Sequence, residues 1–355
     1  MPFQSLETIA KALVAEGKGI LAADETVGTL TKRFDQLRIP STPESRRDYR
    51  ELLFTTPGSA RFISGVIMYD ETIRQQASNG KWLADILLEQ GIIPGIKVDT
   101  GAKPLAGCEN ETVTEGLDGL RERLKDYRAT GAQFAKWRAV IRITDQLPSQ
   151  TCVNVNAHAL GRYAVLCQEQ GIVPIVEPEV LMEGPHTIER CNMVTGEVLH
   201  AVFNALYEQR VALEGMLLKP NMVVSGSLCP KQASVAEVAD ATLRCLLSHV
   251  PAAVPGIVFL SGGQSAVVAT EHLNAINSIA RSKPWKISFS YGRALQDLAL
   301  ATWLGNKQNY SAAQQAFYHR ANCNAAASVG KYAAAMENQF TGEIARKHRS
   351  QHADD

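Results

Sequence analysis

A chain of 355 residues, 45% of them hydrophobic, is long enough to bury a sizeable core. Its 36 Lys+Arg balance 36 Asp+Glu, so the formal net charge is zero; this argues against a nucleic-acid partner or an anionic membrane, although a local basic cluster can still take a phosphate. Seven cysteines with no C-x-x-C pair read as scattered thiols of a reducing cytoplasmic setting, and eight histidines without H-E-x-x-H or H-x-H spacing point to no metal site.

In chain order, Leu6, Ile9, Ala10, Leu13 and Val14 recur at helical spacing, broken by Glu7 and Lys11. This predicts an amphipathic surface helix and not a signal or transit peptide. No apolar run approaches the roughly 18 residues of a membrane span. Eight short apolar or β-branched segments follow, at residues 19–24, 63–69, 95–99, 134–141, 172–180, 215–222, 255–262 and 285–292. Helices are predicted between them, among others at 115–128 (Leu117, Leu120, Leu124), 195–209 (Val198, Val202, Leu206), 235–247 and 265–279. No Ser/Gly-rich linker divides the chain. From about Gly330 the composition turns polar and charged and reads as a mobile C-terminal tail, with the barrel unit placed at 1–340 and the tail proper at 341–355.

Continuous apolar strands alternating with helices imply an α/β protein with a parallel sheet buried on both faces. Eight such units predict a closed (β/α)8 TIM barrel in a single domain. The rival is an open doubly wound sheet, but no G-x-G-x-x-G follows the first strand.

A barrel puts its chemistry at the C-terminal ends of its strands. Charged residues gather there. The first strand ends in Asp24 and Glu25, the third carries Lys97, and the fourth carries Lys136 and Arg138. The fifth carries Glu177 and Glu179, and the sixth carries Lys219. Charges inside apolar strands are costly unless paired or functional. Residues two apart on a strand share a face, so Lys136 with Arg138, and Glu177 with Glu179, should point into one mouth. Lys219 closes the apolar run Gly215, Met216, Leu217, Leu218 before Pro220. Alone it reads first as a strand-end charge snorkelling to solvent. Beside the other segments it reads as a desolvated amine, a nucleophile toward carbonyls, with the two glutamates dividing the roles of proton donor and base. A charge-balanced structural network is the alternative.

Two further loops suit phosphate. Ser261, Gly262 and Gly263 follow the seventh strand, and Gly292 and Arg293 follow the eighth. Those positions often form the phosphate site of such a barrel; glycines admit backbone N–H groups and arginine supplies a fork of donors. Lys32 and Arg33, after the first strand, could take a second phosphate, or could simply be a solvated helix face.

The segments GILAADE, GIKVDTG, EGLDGL, FAKWRAVI, IVEPEV, LLKPNMV, FLSGGQS and SFSYGRALQ together resemble the class I fructose-bisphosphate aldolases along nearly the whole chain. The resemblance implies a metal-independent cytoplasmic enzyme of glycolysis and gluconeogenesis, without a cofactor, commonly a homotetramer, acting on sugar phosphates. It implies that Lys219 forms the Schiff base, that Glu177 moves protons during its formation, and that Asp24 takes the C4 hydroxyl proton. Lys136 and Glu179 would balance charge around them. Ser261, Gly262, Gly292 and Arg293 would hold the C1 phosphate, and Lys97, Arg138, Lys32 and Arg33 would attend the other end.

This chain departs from the family pattern at Thr26 and Thr29, where many members have serine, and at its end. Animal members finish in a tyrosine that takes part in proton exchange; here the last residues are Asp354 and Asp355 and the last tyrosine is Tyr332. Other readings are a transaldolase or an aldolase preferring another ketose phosphate, and a non-catalytic scaffold on the same fold. A scaffold would be expected to have lost one of Asp24, Lys136, Glu177 or Lys219, and all are present.

Overall fold

The computed structural model describes residues 5–338. Its strands are β1 (Gly19–Ala23), β2 (Ile63–Met68), β3 (Ile93–Lys97), β4 (Gly101–Pro104), β5 (Thr112–Glu115), β6 (Phe134–Ile141), β7 (Val173–Val180), β8 (Leu217–Leu218), β9 (Gly256–Phe259) and β10 (Lys286–Tyr291). Eight of them close in the order β1-β10-β9-β8-β7-β6-β3-β2, and β1 pairs in parallel with both β10 and β2. That closure excludes the open sheet and gives one TIM-barrel domain, with helices packed around the strands.

All eight predicted segments became barrel strands, with shifted ends. The sixth shrinks to Leu217–Leu218 because Gly215 lies in a 3-10 turn and Pro220 has no N–H to continue the ladder. One bond from Lys219 N to Val176 O, 2.8 Å, still ties Lys219 into the sheet. The long neighbouring pair β6 and β7 runs in register from Phe134 opposite Val173 to Ile141 opposite Val180. The charged residues of these two strands therefore reach the same end together.

Two expectations change. The N-terminal helix Leu6–Leu13 is amphipathic but is no surface appendage: Ile9, Ala10 and Leu13 are buried against Ile20, Ile67, Phe134, Val173, Leu217 and Val258. It plugs the barrel floor. The Phe134 ring fills the same floor, and a Cβ on Gly65 or Gly95 would run into it. Residues 330–338 are not tail-like either. Tyr332 is buried, and Glu337 accepts from its hydroxyl at 2.9 Å and from Arg320 on the helix Tyr310–Ser328. The tail expected at 341–355 lies outside the described residues.

The helix predicted over 115–128 starts later, at Leu120–Ala129. Gly116 and Gly119 both have positive φ, and Glu115 pairs with Gly101 in the antiparallel hairpin β4–β5, which the sequence reading did not foresee. The other three predicted helices appear as Ile188–Glu208, Val235–His249 and Ala266–Ser278.

Candidate active site

At the C-terminal end of the barrel lies a cavity of about 570 Å³. Of the site residues named from the sequence, Asp24, Thr26, Thr29, Lys32, Arg33, Lys97, Lys136, Arg138, Glu177, Glu179, Lys219, Ser261, Gly262, Gly292 and Arg293 line it, and Gly263 does not. The barrel rim explains why. Each strand carries its last side chains to the same opening, whatever the sequence distance between them.

At the centre, Lys136 Nζ stands 2.7 Å from Asp24 Oδ2 and 3.4 Å from Glu177 Oε2. Lys219 Nζ stands 3.3 Å from the other oxygen, Glu177 Oε1. Lys136, Glu177 and Lys219 are buried. The contacts to Glu177 are loose, and its Oε2 has no hydrogen-bond partner. A substrate oxygen could take that position.

The electrostatics fix the charges of Lys136 and Asp24. Burial disfavours the Lys136 ammonium, but Asp24, Glu177 and Asp99 outweigh it and push its pKa well above the usual lysine range. Burial likewise pushes Asp24 up, but the fields of Lys136 and then Lys219 overcome this and hold its carboxyl at about 2. Lys136 is thus a fixed cation and Asp24 a fixed anion at neutral pH. Glu177 and Glu179 do not pair with each other: Glu179 accepts from Arg138 instead. Burial lowers the Arg138 pKa and the Glu179 charge raises it, with a net rise.

On one side of this centre, the turn after β9 is shaped for an anion. Gly262 and Gly263 take φ of 58° and 92°, a region that suits glycine, and the Gln264 N–H closes the turn on Ser261 O at 3.0 Å. The helix Arg293–Trp303 begins beside it with no side chain capping its first turn. Its N–H groups and the Arg293 side chain are available to a phosphate.

After β1, the strand next to β10, Thr26 caps the helix Val27–Gln36, accepting from the Thr29 N–H at 3.2 Å. The two hydroxyls lie 3.0 Å apart. Lys97 Nζ donates to Asp99 Oδ1 at 2.6 Å. Arg33 lies between Glu25 and Asp297, and Lys32 stands exposed beside it.

The cavity also recruits residues to which the sequence reading gave no role. Asp99 accepts from Lys97 and from the Arg138 N–H at 3.2 Å. Ser290 is buried with no partner for its Oγ. It sits two places before Gly292, so the period-two rule could have found it. Glu25 gathers Arg33, Arg50 and Gln296, a meeting that no local pattern announces.

Among the described residues one group has metal-ligand atoms close together, His319, Cys323 and Glu337. It does not line this cavity, and its carboxylate is engaged by Arg320 and Tyr332.

Residues 5–352 match the family model described as fructose-bisphosphate aldolase class-I of the glycolytic group. The chain belongs to the class I fructose-bisphosphate aldolase family. It is a lyase of that family. The "probable fructose-bisphosphate aldolase class 1" of Xanthomonas campestris is 56% identical over 333 residues, 94% of this chain and 99% of that protein. Human fructose-bisphosphate aldolase B is 51% identical over 346 residues, 95% of each chain. A solved Plasmodium falciparum fructose-bisphosphate aldolase, in complex with TRAP and a small-molecule inhibitor, superposes with a TM-score of 0.91 at 48% identity, covering 92% of this chain and 95% of that one.

Proposed function

We propose that this aldolase cleaves fructose 1,6-bisphosphate through a Schiff base on Lys219. The observation that carries the reading is the division of the two central lysines. Lys136 is held as a cation by Asp24 and Glu177, while Lys219 faces a single carboxylate oxygen. A lysine fixed as its ammonium is a poor nucleophile, which leaves Lys219 as the amine.

The steps follow from the positions. Lys219 passes one proton to Glu177 and attacks the C2 carbonyl as the free amine; a second proton moves from its nitrogen to the new alkoxide, and Glu177 returns the first as the carbinolamine oxygen leaves as water. The resulting iminium is an electron sink. Asp24, an anion at working pH, takes the C4 hydroxyl proton; the C3–C4 electron pair moves into the iminium, and glyceraldehyde 3-phosphate leaves. Protonation of the enamine at C3 and hydrolysis of the iminium then release dihydroxyacetone phosphate and restore Lys219. Lys136 holds oxygen of the substrate and balances the changing charge, with Glu179 keeping Arg138 in place. Ser261, Gly262, Gly292 and Arg293 hold the C1 phosphate; Lys97, Arg138, Thr26, Thr29, Lys32 and Arg33 attend the C6 end. The reverse aldol addition uses the same groups in reverse, as glycolysis and gluconeogenesis require.

We also propose a cytoplasmic homotetramer. Seven unpaired cysteines fit a reducing compartment. Met193 and Tyr207 stand exposed on one helix, Ile188–Glu208, where a neighbouring subunit could cover them. Light scattering at working concentration tests the assembly, and a monomer would remove it.

The deciding experiment traps the intermediate. The protein is incubated with dihydroxyacetone phosphate and a chelator, then reduced with borohydride and mapped by mass. A reduced adduct on Lys219 is the expected result, and Lys219→Met should abolish it without unfolding the barrel. A folded protein with no adduct would replace this reading with a non-catalytic scaffold. Relative rates on fructose 1-phosphate and sedoheptulose 1,7-bisphosphate then rank the ketose substrates.

A further inference from the structure

Arg33 is held between two carboxylates of unequal standing. Its Nη1 donates to Glu25 Oε1, and its Nη2 donates to Asp297 Oδ1 at 2.7 Å. Glu25 is anchored from behind. It also accepts from Arg50 Nη2 at 2.8 Å and from Gln296 Nε2 at 3.1 Å, and Arg50 and Gln296 are both buried. Pulling Arg33 off Glu25 would strip charge from a mostly buried cluster, which is costly.

Asp297 has no such anchor. Its side chain is 61% exposed, and Arg33 is the one hydrogen-bond donor it meets among the described residues. It belongs to the helix Arg293–Trp303, whereas Arg33 belongs to the helix Val27–Gln36. The pair therefore bridges the two helices that start at the cavity rim. An exposed aspartate is readily exchanged for a better anion. A phosphate is such an anion: it carries more charge and offers several oxygens to the guanidinium fork.

We propose that Asp297 is a specificity-determining residue: it occupies the open edge of Arg33 that the second phosphate of the substrate takes, and so moderates the preference for a two-phosphate over a one-phosphate ketose. The proposal rests on the reading that Arg33 receives that second phosphate. A one-phosphate ketose leaves the Arg33–Asp297 pair closed and binds at no extra cost. A bisphosphate must open the pair, and the displaced carboxylate swings into solvent. Asp297 also feels the charge of Arg293, but its hydrogen bond is to Arg33, so its main effect falls on substrates that reach Arg33.

The test compares wild type and Asp297→Asn on fructose 1,6-bisphosphate and fructose 1-phosphate. The substitution is isosteric and exposed, so the fold is retained. For the bisphosphate we expect KM to fall roughly two- to fivefold, the worth of an exposed ion pair, with kcat unchanged. For fructose 1-phosphate neither constant should move. In an Arg33→Ala background the gain should vanish, since the two residues act through one contact. An unchanged bisphosphate KM in Asp297→Asn, while Arg33→Ala raises it, would overturn the proposal and leave the phosphate role of Arg33 standing. A gain that survives without Arg33 would also overturn it, because the effect would then be a general field. An Arg33→Ala enzyme with wild-type bisphosphate KM would remove the underlying reading and the proposal with it.

Discussion

Lys136 reaches Asp24 across the barrel mouth, 2.7 Å from Nζ to Oδ2, although β2 and β3 stand between the strands that carry them. Such a contact is possible only in a closed barrel, where strands far apart along the sheet face one another over the opening. It locks one lysine as a cation and one carboxylate as an anion before any substrate arrives. The neighbouring Lys219 stands against the other oxygen of Glu177, 3.3 Å away.

If Asp24 is the base for cleavage, Asp24→Ser should still form the covalent adduct on Lys219. It should split the C3–C4 bond roughly 10²- to 10⁴-fold more slowly, the usual worth of a positioned base. Borohydride trapping alongside turnover measures both steps. Failure to trap any adduct in that variant would remove Asp24 from this role.

The same ion pair sets a pH dependence of stability. The folded pKa of Asp24 is about 2, below the value of about 3.9 for an exposed aspartate. Its contribution is therefore present above about pH 4 and is lost as pH falls toward 2. Lys136 has the opposite sign: its folded pKa is raised, so its contribution is full below about pH 10.4 and is lost as pH climbs beyond that. Asp24→Asn should cost about 2 kcal/mol at neutral pH. Urea midpoints should show the gap to wild type closing from pH 4 downward. A gap independent of pH would refute the assignment.

The floor plug can be tested apart from chemistry. Leu13 is fully buried beneath the barrel. Leu13→Ala should cost about 3 kcal/mol through lost burial and a residual cavity. Chemical denaturation reads this directly, and a cost below half a kcal/mol would mean that the helix does not seal the floor.

Arg50 should behave as a structural support of the rim. It is buried, and Nη2 is its one nitrogen bonded to Glu25. Arg50→Met leaves Glu25 with Arg33 and Gln296 only, so the loss should be about 3 kcal/mol, the low end for a broken buried pair. The bisphosphate KM should rise with it, because Glu25 orients Arg33. Unchanged stability and KM together would contradict this account.

Much of the architecture is legible in one dimension. Eight apolar segments separated by helical stretches foretell a parallel barrel, since a strand buried on both faces has to be apolar throughout. The charges that break those segments mark the rim, because each is costly without a purpose there. Lys136, Glu177 and Lys219 were found in this way. Short irregular stretches are not: the β4–β5 hairpin has mostly exposed, mixed residues and no period to read, and Glu115 belongs to its second strand because Gly116 and Gly119, both at positive φ, hold off the helix that follows.

What the sequence alone determined is which residues share a face and which strand end they occupy, since side-chain period is a local property of the backbone. What the tertiary structure decided is who meets whom across the opening. The partition of Lys136 and Lys219 between carboxylates arises from strands closing into a ring, as does the anchoring of Glu25 by Arg50 and Gln296. The hold of Asp297 on Arg33 joins residues 264 apart in the chain. The N-terminal helix followed the same rule: its period predicted an apolar face, and only closure of the barrel supplied the floor for that face to seal.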